Sequence, residues 1–147
     1  MAGYFDRVQA DMKVALKAGD KASLEVLRML LSDMNKKADS QPAPLSEADE
    51  LAVLQRAVKT RADTVQQATA AGRAEIARKE QAEIEVVQRY LPKQMSAEEV
   101  AAKVQALATE IGYAGGKDTG RFMKEWMARH QGVADGKQVQ AALRALA

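Results

Sequence analysis

The residues best suited by type and spacing to do chemistry are four cations in the last third of the chain: Lys117, Arg121, Lys124 and Lys137. The first three follow one another at intervals of four and three, which places them along one side of a helix. They come directly after a glycine-rich break at Gly112, Gly115 and Gly116, and Lys137 comes just after Asp135, a residue suited to starting a helix. Cations beside the free N–H groups of helix starts suit phosphate oxygens. The chemistry on offer is therefore backbone-directed binding of nucleic acid, without reading of bases. Asp118 and Asp135 oppose part of this charge. The same four cations also fit an ordinary solvated face of amphipathic helices.

No catalytic constellation competes with them. The chain has no cysteine, which removes disulfides, thiolate zinc sites and cysteine nucleophiles together. Its one histidine, His130, falls near an apolar helical stripe and reads as a packed or capping side chain. None of the five serines lies in a Gly-x-Ser-x-Gly elbow. Gly115-Gly116-Lys117-Asp118 lacks the spacing of a phosphate loop, and no buried strand precedes it. Glu80, Glu83 and Glu85 have no Glu-x-x-His partners on a facing helix, so they read as a solvated face with Glu83 answering Arg61. The expectation is no catalytic residue, no metal and no cofactor.

Composition bounds the rest. The 147 residues are 47% hydrophobic and 29% charged, which excludes a disordered tail. Aromatics make up only 4%, so the core must be aliphatic and rich in alanine. Net charge is +2, and residues 1–91 are balanced at fourteen basic against fourteen acidic side chains. The positive excess lies beyond them. No apolar stretch approaches the roughly 20 residues needed to span a bilayer. The first residues lack an apolar signal region and already contain Asp6 and Asp11, so a cytoplasmic protein is expected.

The elements that must position these residues are helices, because apolar residues recur at three and four throughout and never alternate. Phe5, Val8, Met12 and Ala15 with Leu16 mark a first helix that stops near Gly19. Asp20 can cap a second, whose stripe is Leu24, Leu27, Leu30 with Leu31 and Met34. Lys36 and Lys37 suit the negative end of its dipole. Pro42 and Pro44 break the chain, and Ser46 with Asp49 opens a third helix with Leu51, Leu54, Val58, Arg61, Val65 and Ala68 in its seam. Gly72 interrupts, and Ile76, Glu80, Ile84, Val87 and Leu91 form the stripe of a fourth helix. Two matched stripes about a short loop predict an antiparallel hairpin, with Ala68 opposite Ile76, Arg61 opposite Glu83 or Ile84, and Leu54 opposite Leu91.

Pro92 ends this region, and Ser96-Ala-Glu-Glu99 is a full capping box for a fifth helix along Val100, Val104, Leu107 and Ile111. Asp118 can cap a sixth helix carrying Phe122, Trp126 and His130. Asp135 can cap a seventh, with Val139, Leu143 and Leu146 turned inward. The reading is all-α: an N-terminal helical domain over 1–92 with a long hairpin, and a small C-terminal three-helix domain over 93–147 centred on Trp126.

Three stretches in this order and spacing resemble a known family: Leu24-Glu-Val-Leu-Arg-Met-Leu30, Tyr90-Leu-Pro-Lys-Gln94, and Lys117-Asp-Thr-Gly-Arg-Phe-Met123 followed by Gly132-Val-Ala-Asp-Gly-Lys-Gln-Val139. Together with the Ala-Gly-Arg turn at 71–73, they resemble the YqeY-like proteins of the GatB/YqeY family over essentially the whole chain. The resemblance implies a C-terminal domain similar to the tail of the B subunit of the glutamine-dependent aminoacyl-tRNA amidotransferase, a tail that helps hold the tRNA body. It implies tRNA, or a tRNA–amidotransferase complex, as partner, and links to carbon–nitrogen ligase chemistry with glutamine as amido donor only as an accessory. The amidase Gly-Gly-Ser-Ser-Gly signature is missing from this chain. The alternative expectation is a protein-interaction adaptor that works through the helical hairpin, without nucleic acid.

Overall fold

The computed structural model describes residues 3–146. Their regular structure is helical throughout: α1 (Tyr4–Ala18), α2 (Lys21–Asp39), α3 (Glu47–Ala70), α4 (Ala74–Gln88), α5 (Ala97–Ile111), α6 (Thr119–His130) and α7 (Gly136–Arg144), with a 3-10 turn over Gly116–Asp118. The chain divides into two compact units between Leu91 and Pro92.

Local chemistry explains most of the helix ends. The Asp20 carboxylate accepts from the Ser23 N–H at 3.1 Å and starts α2. At α3, Ser46 Oγ accepts from the Asp49 N–H while Asp49 accepts from the Ser46 N–H, so both halves of the box form. Ser96 and Glu99 repeat the arrangement at α5. Gly112 ends α5 at φ 67°, a left-handed conformation that a residue with a Cβ adopts only at a cost.

Asp118 departs from expectation. It precedes α6 but gives no side-chain cap; instead its carboxylate accepts from the Ala114 N–H at 2.9 Å. The 3-10 turn explains this: it already holds Asp118 in a helical conformation, so the carboxylate reaches back across the glycine loop rather than forward.

In the first unit, α3 and α4 make the most extensive packing, α1 lies on α2, and α2 also touches both α3 and α4. Val8, Leu27, Leu30, Met34, Leu54 and Val87 are buried in the shared core. Arg61 is buried as well, with Nε 3.8 Å from Glu83 Oε1, so these two expected partners do meet. Glu50, buried on α3, accepts the Phe5 N–H at 2.6 Å and so satisfies a free donor of the first turn of α1. Two expected inward residues lie outside the core: Leu16 is 60% exposed and Ile76 41%. Ala15, beside Leu16, takes the buried position instead, and near the turn small residues such as Ala68 offer Ile76 little to pack on.

In the second unit, α5 packs on both α6 and α7. Val100, Val104, Leu107, Phe122, Trp126, Val139 and Leu143 form one core. Leu146, expected inward, falls beyond the end of α7 and is 43% exposed. The segment before α5 is fastened by the Met95 N–H to the Val133 carbonyl at 2.8 Å, and by Gln94 Nε2 to the Gly132 carbonyl at 2.7 Å.

Candidate nucleic-acid interface

The four cations sit on three elements of the second unit. Lys117 lies in the 3-10 turn, Arg121 and Lys124 on α6, and Lys137 in the first turn of α7; all four are exposed. On α6 the division of labour is clean, because Phe122 and Trp126 on the opposite flank are essentially inaccessible to solvent. Burial of the aromatic face fixes which way the cations point. The Trp126 indole stacks on Phe122 with centroids 6.2 Å apart and packs on His130 at 4.4 Å, so it is a core residue with no face free for a base.

The positive side is not uniform. Arg121 approaches Asp118 at 3.6 Å, which neutralises part of its charge. Arg129, further along α6, is engaged by Glu110 and by Glu125, and its hydrogen bond holds Glu110 below the usual carboxylate range. Lys117, in the turn before α6, and Lys124, on it, are both exposed. Lys137 stands apart, because α7 packs on α5 and, among the described residues, makes no backbone approach to α6.

His130 does not add to this charge. Burial first, and then Lys103 and Arg129, push its pKa below the ordinary histidine value, which favours the neutral ring. Glu83 is pushed the other way, up, chiefly by burial and by Glu80. Among the described residues no group of three or more His, Cys, Asp or Glu could hold a metal ion. No helix of the described residues is long and apolar enough to cross a membrane.

The family model described as Yqey-like protein matches residues 5–146, nearly the whole chain. The chain belongs to the YqeY-like family. Its match covers both compact units, so the α6 cations and the α3–α4 pair belong to one YqeY-like sequence rather than to a grafted module. A search of curated proteins finds no match.

Proposed function

We propose that this YqeY-like protein is a non-catalytic helical module that binds tRNA, or a tRNA–amidotransferase complex, through a C-terminal domain formed by residues 93–147. Residues 1–92 form the N-terminal domain, in which α3 and α4 run as a long antiparallel hairpin. The observation that carries the reading is α6: its aromatic side is sunk in the core, which leaves Arg121 and Lys124 facing solvent, with exposed Lys117 in the turn just before them. The sequence resemblance of this region to the tail of the amidotransferase B subunit adds the kind of RNA. Amidotransfer from glutamine would take place on partner subunits in the cytoplasm, with this chain as accessory.

The test is gel mobility or fluorescence anisotropy with bulk tRNA at several salt concentrations. With Arg121 half-answered by Asp118, about three phosphates are neutralised, and log K falls with log salt at a slope of roughly −3. Changing Lys117, Arg121, Lys124 and Lys137 to Glu abolishes binding while helicity and cooperative melting persist. Undiminished binding by that folded variant sinks the assignment. The second reading, an adaptor working through α3 and α4, draws on the exposed Ile76 near their turn. A pull-down with and without RNase separates the two, since only RNA-bridged partners are lost on digestion.

A further inference from the structure

Between α2 and α3 lies a groove of about 480 Å³ whose lining holds Lys36, Lys37, Arg56 and Arg61 against a single carboxylate, Asp33. Arg61 is more than nine-tenths buried, yet its guanidinium is poorly answered. Nη1 donates to the Ala57 carbonyl at 3.0 Å, Nη2 meets only the Met29 thioether sulfur, and buried Nε has no hydrogen-bond acceptor. A guanidinium offers five N–H donors, and a thioether is a weak acceptor. Glu83, 3.8 Å from Nε, is beyond hydrogen-bond reach. Buried charge is tolerated when paired and hydrogen-bonded; Glu83 supplies the pairing at 3.8 Å, but the hydrogen bonding is incomplete.

Met29 lines the groove and is itself 47% exposed, so its flexible side chain can swing away from Nη2. Lys36 and Lys37 also offset the dipole at the end of α2. Arg56, in the middle of α3, has no such duty. Three exposed cations thus surround a buried fourth with unused donors.

We propose that this groove is an anion site, and that a phosphate group seats on Arg61 in place of the Met29 sulfur, with Lys36, Lys37 and Arg56 closing over it. Planar guanidinium donors match phosphate oxygens two at a time. The phosphate comes either from a small phosphorylated molecule or from an RNA backbone, and the chemistry of the seat is the same. The site stands independently of α6.

The experiment titrates the full chain with pyrophosphate by calorimetry, and with bulk tRNA by anisotropy, at low ionic strength. Lys36→Gln with Arg56→Gln changes exposed residues and leaves the fold intact; Lys13→Gln with Lys17→Gln, on α1, is the charge-matched control. The groove variant loses at least ~tenfold in affinity relative to that control. Loss confined to pyrophosphate identifies a small phosphorylated ligand, and loss confined to tRNA identifies the RNA backbone. In the parent, pyrophosphate or tRNA shifts the NMR signal of the Arg61 Nε–H, and Lys117→Glu with Lys124→Glu leaves that shift in place. Equal affinities of groove variant and control for both probes, with an unmoved Arg61 signal, overturn the proposal.

Discussion

Tyr90 shows how a single side chain is held by parts of the chain far from it. Its hydroxyl donates to Asp11 Oδ2 at 2.5 Å, and the Arg7 guanidinium lies 5.4 Å from its ring and 5.5 Å from the ring of Tyr4. Burial first, and then the Asp11 carboxylate, push the phenol pKa well above the usual tyrosine value. The raised folded pKa means that the native state holds the proton after the unfolded chain has released it. Stability from this contact is therefore complete below about pH 10 and is lost as pH rises beyond that. Tyr90→Phe should cost about 1 kcal/mol at neutral pH and flatten this alkaline decline, as denaturant melts across pH 7 to 11 would show. Arg61 was readable as the one charge in an apolar seam, and Glu83 as its partner. Neither Glu50 under the start of α1 nor the pairing of Tyr90 with Asp11 was, since both join residues that only the packed helices bring together.

The helices were legible where their ends are set by neighbours in sequence. Ser46 with Asp49, Ser96 with Glu99, and Asp20 each bond to a backbone N–H three residues on, which a spacing rule can see. Asp118 obeys the same spacing in print but not in space, because an intervening 3-10 turn changes what its carboxylate can reach. Ser96→Ala removes the acceptor of the Glu99 N–H at the start of α5 and should lower stability by about 1 kcal/mol, read as a shift in urea midpoint without a change of slope. Asp118→Ala should act differently. It releases Arg121 and the Ala114 N–H together, so the loop before α6 exchanges its amide protons faster, while tRNA affinity rises as a full positive charge is freed. Unaltered affinity would mean that Arg121 lies outside the contact.

At the scale of the molecule, the two units have separate cores, the second holding the Phe122–Trp126 pair. Trp126→Ala should cost roughly 3–5 kcal/mol, as for other buried aromatics. Amide NMR spectra should then lose the dispersed signals of α5 to α7 while those of α1 to α4 remain; a uniform loss would show that the units melt as one. The all-helical class and the position of Trp126 follow from composition and period alone, since one large aromatic stripe in a poorly aromatic chain has to be buried. Lys117, Arg121 and Lys124 were legible as a row on one side of a helix, and Asp118 as an opposing charge, but not which of the cations Asp118 answers. Asp118 settles on Arg121, three residues further along, at 3.6 Å.

The central place of α5 has a consequence for how the second unit is made. Because the backbones of α6 and α7 each approach α5 closely and do not so approach each other, α5 is the template for both, and it is synthesised before either. At about 5–20 residues per second, its Val100–Val104 edge waits a few seconds on the ribosome for Val139 and Leu143 to emerge. During that interval the apolar side of α5 is open to whatever else is nearby. Substitutions that weaken α7 prolong the exposure, and their first symptom should be lower soluble yield rather than a lower melting temperature of the protein that does fold.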